Sequence, residues 1–363
     1  MSDFVIVGAG VIGMMLAREL MQAGATVSLV DRSACAQEAT WAGGGIVSPL
    51  YPWRYSDPVT QLATWSQSSY LHLSQDLIEE TGCDPELRQK GMYMVDVEDE
   101  QDALSWAAQF NRPMSKVGAS HLYAREANFC RGYQSALWMP EVCSIRNPRL
   151  GKSLRASLEK SPRVTLYEHH DVHHLLLDND KVHGVRTAQG DINGGKTIIT
   201  AGAWSAELLK PLDINLPVEP VKGQMMIFKT PVGTVNRVIL MAGRYVIPRN
   251  DGRVLVGSTL EREGFDKHTT QGAYQSLHQT AIQIIPALAK CEVEHHWAGL
   301  RPGSPEGIPF IGDVPGVAGL AVNAGQYRNG LVLAPASTRM HADMLLGREP
   351  VVNPAAYQLE GRI

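Results

Sequence analysis

Three glycines spaced as Gly8-x-Gly10-x-x-Gly13, with an acid downstream at Asp31, are the first residues whose types and spacing could do chemistry. The chemistry is dinucleotide binding. Gly8 permits a tight turn, Gly10 lets a pyrophosphate approach the backbone, and Gly13 lets a helix pack close to a strand. The helix N-terminus then faces the phosphates, and Asp31 is placed to accept hydrogen bonds from both hydroxyls of an adenosine ribose. A second segment holds Gly43, Gly44 and Gly45 in a row, where bare backbone can approach a flat ring or a second phosphate. Arg301 stands in Leu300-Arg301-Pro302-Gly303, which reads as a rigid turn. A guanidinium fork there can hold a carboxylate through two parallel bonds.

These residues need a scaffold. Phe4 to Val7 is a short apolar run suited to a strand buried on both faces of a parallel sheet. Met14 to Ala23 has helical periodicity and Gly24 as its stop, and Val27 to Val30 is the next strand. Strand, glycine turn, helix, strand and terminal acid make a complete βαβ unit within about thirty residues, which does not by itself separate NAD from FAD. Ile198 to Thr200 reads as a strand ending at Ala201-Gly202, with Trp204 opening a helix. Gly319 to Asn323 reads as another strand, followed by a helix from about Gly330 to Leu346. Gln189-Gly190-Asp191 and Asn250-Asp251-Gly252 read as hairpin turns. Along the strand beside the second turn, alternation puts Tyr245 and Ile247 on one face and Val246 on the other.

Composition bounds the rest. A chain of 363 residues with 44 % hydrophobic and 19 % charged residues has material for about two globular domains, which excludes disorder, collagen and coiled coil. Its net charge of −4 offers no basic field for nucleic acid. Five scattered cysteines without a C-x-x-C pair fit reduced thiols in a cytoplasmic protein. Asp3 and the glycines argue against a signal peptide, no apolar run suits a membrane span, and the C-terminus is not a peroxisomal address.

The opening fingerprint, Ala39 to Pro49, Ile199 to Ser205, Trp297 to Pro302 and Arg328-Asn329-Gly330 together resemble the D-amino-acid oxidase superfamily of flavoproteins, and within it the bacterial glycine oxidase branch associated with thiazole synthesis for thiamine. The resemblance covers nearly the whole chain in order. It implies an α/β fold in which a Rossmann-type FAD-binding domain, residues 1–82, 147–218 and 299–350, interleaves with an antiparallel-sheet (α+β) substrate domain, residues 83–146 and 219–298. It implies noncovalent FAD as well, because no cysteine lies between Trp297 and Gly325 to carry a flavin link.

The implied FAD contacts begin with Gly8, Gly10, Val11, Ile12, Gly13, Asp31 and Arg32, and continue with Thr40, Trp41, Ala42, Gly43, Gly44 and Gly45. Further along they are Val172, Ala201, Gly202, Trp204, Arg301, Gln326, Tyr327, Arg328, Asn329, Gly330 and Leu331. The implied catalytic set is Arg301, Tyr245 and Arg328, which with Leu260 contact substrate. Arg301 and the Tyr245 hydroxyl hold the carboxylate, and the C-terminal helix points its positive end at the N1/O2 edge of a reduced flavin. Leu260 stands where methionine is expected, and Gln326-Tyr327 also departs from the branch.

The implied reaction is oxidative deamination of glycine, sarcosine and small D-amino acids by hydride transfer to flavin N5. It yields a 2-oxo acid such as glyoxylate, ammonia and, from dioxygen, hydrogen peroxide. An amino-acid dehydrogenase that passes electrons to a quinone or carrier is the alternative, as is a D-amino-acid oxidase that prefers larger substrates. The implied partners are a small amine and dioxygen, with a homo-oligomer, up to a tetramer, as the assembly. No metal is expected. Histidines at 169, 170, 173 and 174 look like a cluster, but neighbours on a strand point to opposite faces.

Overall fold

A computed structural model describes residues 1–363. The run Ser2–Val7 lies inside an eight-stranded sheet, with Gly190–Ile199 on one side and Val27–Val30 then Val164–Tyr167 on the other, all mutually parallel. Leu320–Ala324 pairs in parallel with the last residues of Gly190–Ile199, and Phe310–Asp313 lies antiparallel beyond it. The hairpin at Gly190 extends the sheet outward through Lys181–Thr187 and Val172–Asp178.

Four helices, Val11–Gln22, Asp57–Thr81, Asn147–Glu159 and Gly330–Leu345, pack with this sheet around one apolar core. The first begins three residues earlier than its periodicity predicts, because the Thr40 hydroxyl accepts from the Val11 N–H at 2.8 Å and caps a start that Gly10 cannot. The last contains Pro335, which lacks an N–H for the Leu331 carbonyl. The Tyr70 hydroxyl donates to that carbonyl instead, and Ser66 Oγ accepts from Ala336 N at 2.9 Å. Side chains one turn apart on Asp57–Thr81 thereby repair the ladder and fix where the Gly330 end points.

The second sheet also has eight strands, in the order Glu292–Gly303, Glu219–Lys229, Arg253–Gly257, Arg244–Pro248, Val238–Met241, Met92–Val95, Ser135–Met139 and Ser115–Gly118. Every pairing is antiparallel except Val238–Met241 with Met92–Val95, where two distant pieces of chain meet. Period-two alternation divides its apolar residues: Met225, Tyr245, Ile247 and Leu255 share one core, and Met226, Val246, Val254 and Val256 share another. The second core is closed by the helix Gln271–Ile284.

Two local expectations change. Leu300-Arg301-Pro302 is not a turn but the end of the strand Glu292–Gly303, so the expected boundary between residues 298 and 299 falls inside that strand. This strand edges the sheet, where a proline costs no ladder bond, and Pro302 stands opposite Pro220. Trp204 closes a 3-10 turn, Gly202–Trp204, before a helix of only five residues, Ser205–Leu209. No helix is long and apolar enough to cross a membrane.

Candidate active site

The C-terminal ends of Ser2–Val7, Val27–Val30 and Gly190–Ile199 open onto a deep cavity that runs to the inner face of the second sheet. At the first end, Asp31, Arg32, Val172, Ala201, Gly202 and Trp204 line it. Next come Gly8, Gly10, Val11 and Ile12, with Thr40, Ala42, Gly43, Gly44 and Gly45. Tyr245 and Arg301 from the second sheet close the other end, together with Gln326, Tyr327, Arg328, Asn329, Gly330 and Leu331.

Each glycine of the opening turn has a different reason to be one. Gly8 has φ +105° and a Cβ there would sit 2.6 Å from the Thr200 carbonyl oxygen. At Gly13 a Cβ would sit 1.9 Å from the Gly8 carbonyl oxygen, so this residue serves helix packing and does not itself line the cavity. Gly10 has an ordinary conformation and a Cβ would meet only Thr40 Oγ1 at 3.3 Å, so its openness is toward the cavity.

Asp31 differs from expectation. Its Oδ1 accepts from Ser33 N at 2.8 Å and Ser33 Oγ at 2.9 Å, and its Oδ2 accepts from Ala9 N at 2.7 Å. A carboxylate has about four acceptor positions, so Asp31 keeps capacity for one ribose hydroxyl and not both. Glu38, which also lines this end, was not legible as a site residue; it accepts from Arg32 at 3.0 Å.

Trp41 and Leu260 lie outside the cavity. On the short helix Ala39–Ala42, Thr40 and Ala42 face inward, so Trp41 turns outward, 39 % exposed, with its ring edge-on to Trp297. Leu260 is 48 % exposed, because the chain leaves the sheet after Gly257 and turns away from the pocket. Trp297 takes a supporting part: its Nε1 donates to the Ala42 carbonyl at 3.1 Å.

Arg301 and Tyr245 come from antiparallel strands of one sheet and meet over two glycines. A Cβ on Gly223 would lie 2.2 Å from Arg301 Nη2, and one on Gly257 would lie 2.8 Å from the Tyr245 hydroxyl. Arg301 donates to Ser258 Oγ at 2.7 Å and to the Lys222 and Thr259 carbonyls at 3.3 Å each. No carboxylate pairs with it, and burial holds its pKa below the ordinary arginine value; Arg328 adds to the lowering while Tyr245 and Tyr327 oppose it. Arg328 is exposed at the cavity mouth and has no ion pair. The four acids that line the cavity, Asp31, Glu38, Asp171 and Glu207, stand at the other end. The Tyr245–Arg301–Arg328 end of the cavity therefore has no lining anion of its own, an arrangement that can pair with a small carboxylate.

The walls also suit a large polar cofactor. The 16-residue helix Gly330–Leu345 directs its N-terminus at the cavity. Asn147 Oδ1 and Asn329 Nδ2, on two residues that line the cavity, are buried without partners, one acceptor and one donor left for a group that is both. Asn147 is a second residue missed in the sequence; its Nδ2 donates to the Thr40 carbonyl at 2.8 Å and steadies the glycine loop. The histidine run adds only His170 to the lining, and no three metal-ligating side chains converge anywhere.

Residues 3–344 match the family model described as FAD dependent oxidoreductase. Over 359 residues the chain is 53 % identical to the glycine oxidase of Pseudomonas aeruginosa, covering 99 % of each protein. It is 49 % identical to the glycine oxidase of Pseudomonas putida, covering 99 % of this chain and 98 % of that one. The crystal structure of glycine oxidase from Geobacillus kaustophilus matches with a TM-score of 0.93 at 27 % identity, covering 100 % of this chain and 99 % of that one.

Proposed function

The chain belongs to the FAD dependent oxidoreductase (DAO) family, and on that premise we propose that it oxidises glycine, and with it sarcosine and small D-amino acids, to the imine. It is an FAD-dependent enzyme. The observation that carries the substrate reading is the recessed Arg301, which has no acidic partner and faces the same cavity as Tyr245 and Arg328.

FAD, when bound, supplies the two-electron acceptor for the hydride leaving the substrate α-carbon. The chain does the rest by binding and positioning. Arg301 takes the substrate carboxylate through its guanidinium fork, and the Tyr245 hydroxyl donates to the same group. Two arginines, with no acid lining the cavity at their end, disfavour an ammonium, so the amine binds neutral with its lone pair free to drive hydride loss. The proton it gives up passes to solvent at the cavity mouth, where Arg328 is exposed. Thr40, Asn147 and Asn329 would orient the cofactor, and the N-terminus of Gly330–Leu345 would face it and favour negative charge there. The imine then hydrolyses to glyoxylate and ammonia, and dioxygen takes up the electrons as hydrogen peroxide.

The reading divides labour between the sheets: residues 1–82, 147–218 and 299–350 serve FAD, and 83–146 and 219–298 serve substrate, with Arg301 on the strand shared by both. It extends to a cytoplasmic homo-oligomer, up to a tetramer; five free thiols support the reducing compartment.

Anaerobic mixing of the yellow protein with glycine, sarcosine, D-alanine and D-proline tests it. Bleaching of the flavin band by glycine, reversed by air with formation of peroxide, is expected. Bleaching that air leaves unreversed makes the protein a dehydrogenase, and bleaching only by the bulkier substrates moves it to a D-amino-acid oxidase.

A further inference from the structure

Residues 258–270 join the strand Arg253–Gly257 to the helix Gln271–Ile284 with almost no regular structure, yet they are held at three points. At the start, Ser258 Oγ and the Thr259 carbonyl accept from Arg301. In the middle, Asp266 accepts at 2.6 Å from Lys222 Nζ, a lysine only 1 % exposed, and Gln224 Nε2 donates to Glu261 at 3.0 Å. Near the far side, Phe265 stacks on the Trp204 indole with centroids 5.5 Å apart and an interplanar angle of 27°.

The far contacts are made with the cavity wall from outside it. Trp204, Arg32 and Glu38 line the cavity at its adenosine end, and Phe265 and Lys267 do not. The Arg32 guanidinium sits 3.9 Å from the centroid of the same indole that Phe265 covers. Lys267 Nζ donates to both Glu38 oxygens at 3.1 Å, and Arg32 donates to one of them at 3.0 Å. An aromatic ring left 41 % exposed on an irregular connector gains its place from what it stacks on.

We propose that residues 258–270 are a strap across the adenosine end of the FAD cavity, in which Phe265 and Lys267 are positioning residues that hold Trp204, Arg32 and Glu38 against the cofactor. The proposal rests on FAD as the resident cofactor. Loosening the strap frees that wall and speeds the departure of FAD. Its departure therefore depends on an aromatic stack and on an exposed ion pair, and the ion pair weakens as salt rises.

The test is the rate of FAD release from the holoenzyme after dilution, followed by recovery of free-flavin fluorescence at low and high salt. Phe265→Ala is expected to speed release about fivefold, in line with the strength of an aromatic pair. Lys267→Gln is expected to speed it about twofold to threefold at low salt and to remove its salt dependence. Lys267→Arg, which keeps the charge, restores the wild-type rate and its salt response. A role in fold stability alone changes the thermal midpoint without that salt signature or that rescue, and such a pattern overturns the strap. Release at the wild-type rate in both variants, with FAD bound one to one, also overturns it and leaves the FAD reading intact. A protein that takes up no FAD overturns both. Should Phe265→Ala fail to fold, the surface change Lys267→Gln decides alone.

Discussion

Arg249 Nη2 donates at 2.8 Å to the carbonyl of Gly44, and its Nη1 donates at 3.0 Å to the carbonyl of Ile145. A buried side chain at the end of a strand of the second sheet thus grips the second glycine loop of the cavity. Burial lowers its pKa to about 10, which still leaves it charged at neutral pH. The planar fork reaches both carbonyls at once with good geometry. Arg249→Met should leave both unpartnered at roughly 1–3 kcal/mol each. Thermal unfolding of the holoprotein and FAD titration should both show the loss, with Arg249→Lys intermediate because an ammonium serves one carbonyl well and the other poorly.

Gly8 and Gly10 are two residues apart and should fail differently. Gly8→Ala forces a side chain into φ +105° and against the Thr200 carbonyl, so the loss is in folding, about 1–3 kcal/mol. Gly10→Ala keeps an ordinary backbone conformation and a 3.3 Å contact, so the protein should fold with a near-normal midpoint. Its methyl then occupies the approach of the pyrophosphate, and FAD affinity should fall about tenfold or more. Equal FAD affinity in Gly10→Ala and wild type would contradict the assignment of that glycine to the cofactor.

What the sequence made legible was local or periodic. The unit from Phe4 to Asp31 announces itself because turn, helix and strands lie within one short segment, and the faces of Tyr245, Val246 and Ile247 follow from alternation alone. The strand through Arg301 was hidden because Pro302 reads as a breaker; only its edge position beside Glu219–Lys229 makes the proline harmless. Thr40 caps a helix 29 residues before it, and Asn147 braces a loop 107 residues before it, so no window of sequence shows either. Asp31 looked free for both ribose hydroxyls because its competitors, Ala9 N and the Ser33 pair, reach it only in the folded turn. Leu260 was placed at the pocket by the resemblance alone, but the strand ends at Gly257 and the residue is half exposed.

The proposed carboxylate anchor can be separated from the rest of the site by kinetics. Arg301→Ala should retain FAD and raise KM for glycine on the order of a hundredfold, since a charge-assisted fork is worth roughly 3 kcal/mol. Tyr245→Phe removes one neutral donor and should raise KM only about fivefold. The double variant should fall short of the product of the two, because both groups hold one carboxylate. Unchanged glycine kinetics in Arg301→Ala would remove the anchor from its role.

Acid should loosen the adenosine end. Glu168 follows the strand Val164–Tyr167; it accepts from Arg155 Nη2 at 2.8 Å and from the Cys35 N–H at 2.8 Å, four residues beyond Asp31. These bonds, Arg155 foremost, hold its carboxyl down from 4.5 to about 2. A carboxyl depressed in the fold stabilises it fully above the unfolded value, and the contribution is lost as pH falls from 4.5 toward about 2. Glu168→Gln should therefore be less stable than wild type at pH 7, and the gap should close across that window. Because Cys35 and Asp31 share one turn, flavin release on acidification should begin at a higher pH in the variant. Parallel acid titrations of unfolding and of flavin fluorescence measure both, and a stability gap that stays constant from pH 7 to pH 2 would show that Glu168 is not the group that titrates.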